Sequence, residues 1–200
     1  FAAESGFCVH FSVLSLCRFV VLRSTLHFRC TTTDDVHLSH SATVPRTCRI
    51  AMPSHPTPIR FNRILLTGAA GGLGRELRAR LKAYCTTVRL SDIADLGEAQ
   101  PGEELCPARL EDAAAVHALL QDVDTVVHLG GVSTEQPWEP ILQANIIGAY
   151  NLYEAARKQG VKRIVFASSN HVTGFYRQDE VVGLKDPARP DGLYGLSKAF

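Results

Sequence analysis

From Asn62 onward the chain alternates short, continuously apolar runs with longer stretches whose apolar residues recur at helical spacing. The run RILLTG at 63–68 meets a cluster of glycines and then LGRELRARLKAY, which reads as strand, turn and helix in succession. TTVRLSD at 86–92 predicts a second strand, and EELCPARL at 103–110 holds a third. EDAAAVHALLQ has the spacing of a helix whose start lies in the preceding loop, and DTVVHLGG is a buried strand ending in glycines. A long helix is expected from about Glu139 to Lys158, stopped by Gly160, before a fifth strand in RIVFASS. Strands that are apolar throughout, alternating with helices, argue for an α/β fold with a parallel sheet covered on both faces. Such sheets bind ligands outside the carboxyl ends of their strands, where the strand order reverses. The residues to weigh are therefore those just after Leu66, Leu90, His128 and Ala167.

The first fifty residues read differently. Residues 1–51 have no glycine after Gly6, hold four of the six cysteines (Cys8, Cys17, Cys30 and Cys48), and show no clean period. The stretch from Phe7 to Leu22 is apolar over roughly 16 residues, short of the roughly 20 that span a bilayer, and His10 and Arg18 interrupt it. No membrane anchor is expected from it. Arg18, Arg23 and Arg29 among many Ser and Thr give some likeness to a transit peptide; the plainer expectation is an unstructured or non-native leader translated ahead of Met52. The folded unit is then residues 52–200.

Composition narrows the function. A formal charge of +1, a single tryptophan and 8% aromatics offer neither a basic surface nor a stacking platform for nucleic acid. Within 52–200 only Cys85 and Cys106 remain, without metal-ligand spacing, which points to a reducing, cytoplasmic setting and no metal. Small-molecule chemistry is what remains.

Two motifs carry that chemistry. TGAAGGLG sets Gly68, Gly71 and Gly74 in a G-x-x-G-x-x-G pattern between the first strand and the first helix, with Gly72 and Leu73 inside it. Backbone can approach a pyrophosphate there and offer it the free N–H groups of a helix start. Asp92, at the end of the next strand, can accept from adenosine ribose hydroxyls while repelling a 2′-phosphate, so a Rossmann-type doubly wound domain binding NAD is expected. As a bare aspartate after a strand, Asp92 also suits a turn or cap. Arg89, on an alternating strand, should face elsewhere. The second motif is Tyr194 and Lys198 in YGLSK, spaced to share one helix face, with Ser169 ending the fifth strand. A tyrosine with a free pKa of about 10 is a poor base until a nearby ammonium favours its phenolate. Alone, the same spacing also suits a solvated helix face.

The glycine turn, VVHLGG, an asparagine in the long helix, the strand ending in serines and YxxxK occur in the order found in extended short-chain dehydrogenases, the NAD-dependent epimerase/dehydratase family, which this sequence resembles over about residues 62–200. HLGGVS, ILQANIIGAYNLYEAAR, RIVFASSNHVTGFY and ARPDGLYGLSK resemble more narrowly its uronate-oxidising branch. The resemblance implies that Ser169, Tyr194 and Lys198 form the catalytic triad, that Asn145 helps hold a relay water near the lysine, and that Ser133, Asn170 and His171 touch a sugar acid. It also implies cofactor contacts from Leu110, Leu129, Gly130 and Gly131, beside those of Tyr194 and Lys198. From the residues alone, Asn145 also reads as a structural buried amide and His171 as an ordinary loop histidine. Where the family usually has Asp-Leu at the adenine, this chain has Arg109-Leu110, which alters that contact or passes it to Asp112.

The implied reaction is NAD-dependent oxidation of a hexuronic acid, glucuronate or galacturonate, at C1 to an aldaric acid lactone. Two alternatives are a nucleotide-sugar epimerase or dehydratase using the same residues, and a non-catalytic NAD-binding protein. A homo-oligomer is expected at full length. Phe200 follows Lys198 by two residues and only five strands are present, so 52–200 is expected to be incomplete at its carboxyl end and nearly inactive alone.

Overall fold

The structure, a computed structural model, describes residues 60–200. The leader expected over 1–51 lies outside the described residues. Five strands, β1 (Phe61–Thr67), β2 (Cys85–Ser91), β3 (Glu103–Leu105), β4 (Thr125–His128) and β5 (Arg163–Phe166), form one parallel sheet in the order β3-β2-β1-β4-β5. The chain works outward from β1 to β3 and then crosses to the other side of β1 to begin β4. That reversal places the switch point between the carboxyl ends of β1 and β4.

Both faces of the sheet are covered, as the unbroken apolar runs require. Ile64 and Leu66 of β1 pack with Val88, Leu90 and Val127 beneath Leu77 and Leu81 of α1 (Gly72–Leu81). Leu65, between them, faces the opposite way into Val116, Leu119, Val126, Leu152, Ala155 and Ile164, under α2 (Ala113–Leu119) and the long helix. Each such fully buried side chain contributes about 1.5–3 kcal/mol, so the two clusters dominate the stability of this unit. At the sheet's amino edge, Asp124 Oδ2 accepts from Asn62 N at 2.6 Å and Arg63 N at 3.0 Å, clipping the start of β1 beside β4.

The expected elements are present with three differences. The third strand stops at Leu105, since Pro107 has no N–H to continue the ladder. The long helix spans 138–159 but is composite: α3 (Trp138–Ile141), a π-helical stretch over Leu142–Ile147, and α4 (Gly148–Gln159). Gly160 closes it in the left-handed region at φ 71°, the stop that its position predicted. The fifth strand ends at Phe166 rather than at Ser169, which instead caps a 3-10 turn over Asn170–Thr173, and α5 (Leu193–Ala199) is the last described element.

Candidate active site

Register aligns the ends of four strands in one row: Ser91 of β2, Thr67 of β1, His128 of β4 and Phe166 of β5 are successive partners across the sheet. Almost every residue singled out from the sequence lies just beyond this row. After Thr67 the chain turns at Gly68, with φ at 69° and a Cβ position only 2.7 Å from Gly130 N and the Leu129 carbonyl carbon. Any side chain there would force β1 and β4 apart at the switch point. Gly74 packs so closely on the Gly68 carbonyl and Ala69 that a Cβ would collide with the turn's own backbone. Gly71 precedes the first turn of α1 without any side-chain cap, and a Cβ on Gly72 would meet nothing, so the helix opens on bare backbone N–H groups. That is an anion-accepting end of the kind a pyrophosphate needs.

Asp92 is both a turn residue and a loop anchor. Its Oδ2 accepts from Ala70 N at 2.9 Å, inside the glycine turn, while Oδ1 accepts from Ala94 N at 3.0 Å. The carboxylate is thus fixed next to the glycine turn with lone pairs left to accept from two hydroxyls. Arg89 does face elsewhere: its guanidinium pairs with Glu104 at 2.8 Å and donates to the Leu119 and Gln121 carbonyls. Leu110 is buried, with Cδ1 3.1 Å from where a Cβ on Gly130 would stand, and Arg109 turns outward to Glu111 at 2.6 Å. Asp112 Oδ1 caps α2 by accepting from Ala114 N and Ala115 N, both at 3.0 Å. These residues fit NAD: a turn in which Gly68 and Gly74 leave no room for a Cβ, an uncapped helix start and an immobilised carboxylate beside it.

On the other side of the switch point lie Tyr194 and Lys198 on α5. Lys198 Nζ sits 5.9 Å from the Tyr194 ring centroid and 4.9 Å from that of Phe166, over the end of β5. Burial lowers its pKa to about 8. The Phe166 ring stacks on His128 at 5.6 Å, so aromatic surface floors the lysine. His128 is fully buried; burial first, and the Lys198 charge second, push its pKa down to about 3. It is therefore a neutral ring that adds no repulsion beneath the ammonium. Ser169 opens the 3-10 turn, its Oγ accepting from His171 N at 3.2 Å and reaching Asn170 Oδ1 at 3.4 Å, the limit of a hydrogen bond. The His171 ring lies edge-on to the Tyr194 ring at 5.6 Å. Gly195 makes this approach possible, since a Cβ there would strike the His171 carbonyl.

Asn145 is buried on the π-helical stretch with its amide committed: Oδ1 accepts from Val132 N at 2.7 Å, and Nδ2 donates to Val132 O at 3.0 Å and Ser197 Oγ at 2.9 Å. Both amide hydrogens are spent on protein, so any water held near Lys198 by this residue cannot be held by them. Ser133 is exposed on the same loop, 129–137. Four residues of the site gave no signal in the sequence. His128 looked like part of a buried strand, and Thr67, Glu135 and Asp191 like ordinary polar residues. Asp191 receives His171 Nδ1 on both carboxylate oxygens at 2.9 Å, which places the ring proton on that nitrogen. Among the described residues there is no cluster of metal-ligating side chains, and no helix is long and apolar enough to cross a membrane.

Fold and site together define a dinucleotide-binding α/β domain with a tyrosine and lysine at its switch point. The profile of the NAD dependent epimerase/dehydratase family matches residues 64–200, and the chain belongs to that family. It is 58% identical over 145 residues to a uronate dehydrogenase of Pseudomonas putida, covering 72% of this chain and 54% of that protein. Among solved structures it resembles uronate dehydrogenase from Agrobacterium tumefaciens (TM-score 0.69, 56% identity, 70% of this chain and 53% of that one). It is equally close to a glucuronic acid dehydrogenase from Chromohalobacter salexigens (TM-score 0.68, 59% identity, 70% and 52%). The chain thus spans about half the length of the relatives it matches.

Proposed function

We propose that the protein to which this chain belongs oxidises a hexuronic acid, glucuronate or galacturonate, at C1 to the aldaric acid lactone with NAD as acceptor. The observation that carries the reading is the placement of Tyr194 and Lys198 on one face of α5, across the switch point from the glycine turn and Asp92. Similarity to uronate dehydrogenases over this same span supports the substrate class.

The C1 hydroxyl of the cyclic sugar must lose its proton while C1 loses a hydride. Tyr194 as phenolate takes the proton, and Lys198, close to the ring and still largely protonated near neutral pH, favours that phenolate. Ser169, on the same turn as His171, holds the hydroxyl oxygen. Asn170, His171 and Ser133 hold the remaining sugar hydroxyls, with His171 offering Nε2 because Nδ1 is bound to Asp191. Lys198 also reaches the nicotinamide ribose, and Leu110, Leu129, Gly130 and Gly131 line the cofactor's path along β4. When bound, NAD supplies the hydride acceptor. Two free thiols, Cys85 and Cys106, fit a reducing, cytoplasmic setting, and the full-length protein is read as a homo-oligomer.

The test is NADH formation by the full-length protein with glucuronate and galacturonate, beside UDP-glucose as the substrate of an epimerase. Stoichiometric NADH with a free uronate supports the reading. Epimerisation of the nucleotide sugar without net NADH, or cofactor binding without turnover, overturns it.

A further inference from the structure

The helix that carries the proposed base has no cap of its own. α5 opens on Gly192, which offers no side chain to its first N–H groups. Asp191, one residue before it, is turned to His171. The acceptors come from far upstream instead. Glu135 Oε1 accepts from Leu193 N at 3.0 Å and Glu135 Oε2 from Tyr194 N at 2.9 Å. A carboxylate accepting two successive N–H groups at a helix start gains charge-assisted bonds and a favourable alignment with the helix end. Gly192 leaves room for it, because a Cβ there would stand 2.6 Å from Oε2.

Glu135 belongs to the loop after β4, which also carries Gly130, Gly131 and Ser133. A second tie joins the same loop to α5: Asn145 bonds both peptide groups of Val132 and donates to Ser197 Oγ, and that hydroxyl donates to the Tyr194 carbonyl at 2.7 Å. Tyr194 is therefore held at its N–H by Glu135 and at its C=O by Ser197. Glu135 is exposed, so its removal leaves no cavity in the core and acts only through these bonds.

We propose that Glu135 is a positioning residue that fixes the backbone of Tyr194 and locks the loop carrying Ser133 onto the helix carrying the base. The catalytic consequence rests on the reading of Tyr194 as base; the tether itself does not. Asp124→Ala is a matched control: it removes a carboxylate that also bridges two successive N–H groups, at the opposite end of the sheet.

The experiment compares wild type, Glu135→Ala, Glu135→Gln and Asp124→Ala in the full-length protein loaded with NAD. Amide hydrogen exchange at Leu193 and Tyr194 is expected to quicken about tenfold in Glu135→Ala, the worth of one lost cap, and to stay unchanged in Asp124→Ala. With a uronate substrate, kcat falls about tenfold in Glu135→Ala while the Kd for NAD stays within about twofold, and Glu135→Gln, which keeps one acceptor, recovers part of the loss. Asp124→Ala lowers Tm comparably and leaves kcat unchanged. Unchanged exchange at both amides in Glu135→Ala overturns the proposal, as does an equal fall of kcat in Asp124→Ala. If wild type oxidises neither uronate, the functional reading fails, and the exchange comparison alone decides the tether.

Discussion

Thr67 Oγ1 lies 2.7 Å from His128 Nδ1, the two residues being direct partners across β1 and β4 at the carboxyl edge of the sheet. The same hydroxyl accepts from Gly130 N at 3.2 Å, so one oxygen ties the glycines after β4 to the end of β1. Burial keeps the His128 ring neutral.

That neutrality makes the fold acid-sensitive in a defined window. Above pH 6.5 His128 is uncharged in both folded and unfolded chains and contributes nothing. Below it the unfolded chain takes up a proton that the folded chain refuses until about pH 3, so stability falls with pH by about 1.4 kcal/mol per unit, or about 2 kcal/mol between pH 6.5 and 5. Glu103, held down to about 2 chiefly by its hydrogen bond from Arg78, adds stability above 4.5 that is lost only as pH falls below that value, so the two effects separate. Urea unfolding at pH 7.5, 6 and 5 should show His128→Leu losing less stability on acidification than wild type. Parallel losses would place the acid-sensitive group elsewhere.

The proposed base is tested by Tyr194→Phe, which keeps the ring against His171 and Lys198 and removes only the hydroxyl. Loss of a general base costs about 10² to 10⁴ in rate, so kcat should fall by that much with NAD affinity retained. Wild-type turnover from the variant, measured across pH in the full-length protein, would assign the proton transfer to another group.

The parallel sheet and the candidate glycine turn were legible because they depend on local, periodic signals: apolar runs, clustered glycines, an aspartate after β2 and a glycine stop at 160; the strand order came only from the structure. Tyr194 and Lys198 were legible for the same reason, as a spacing within one helix. What was not legible depends on contacts between distant segments. Nothing near Glu135 announces a cap for a helix 58 positions on, and nothing near Asp191 shows that it will turn from that helix to His171. The π-helical stretch was hidden because one register shift in a helix of otherwise ordinary period leaves the apolar pattern intact. Asn145 was named through the family resemblance, and its position among apolar residues suggested a buried amide, but its full commitment to Val132 and Ser197 could be seen only in three dimensions.

Asp92 holds the glycine turn by its bond to Ala70 N, and in the proposed reading its charge also sets cofactor choice. Asp92→Ala should therefore weaken NAD binding and, at the same time, lower the preference for NAD over NADP by about tenfold or more, the worth of one or two charge-assisted hydrogen bonds. The ratio of kcat/KM for the two cofactors is the informative quantity, because loosening of the turn affects both alike. An unchanged ratio would reduce Asp92 to a turn residue.

Gly131 and Asn145 provide the sharpest test of how the loop after β4 is built. Gly131 has φ at 130°, and a Cβ on it would stand 2.5 Å from Asn145 Oδ1, the atom that accepts from Val132 N. Gly131→Ala thus brings two costs: backbone strain of about 1–3 kcal/mol, and a clash that displaces the amide from its partners. Asn145→Ala removes the amide and leaves the Val132 N–H without its acceptor, costing about 1–3 kcal/mol by itself. In the double variant the clash has no second party, and only the strain is added to the lost hydrogen bonds. The double-mutant cycle should then close with the pair less destabilised than the sum of the single changes, by a coupling on the order of 1 kcal/mol. Urea unfolding of the four proteins at one pH gives that number. Strict additivity would mean that Gly131 is required for its backbone angle alone and that the contact with Asn145 is incidental.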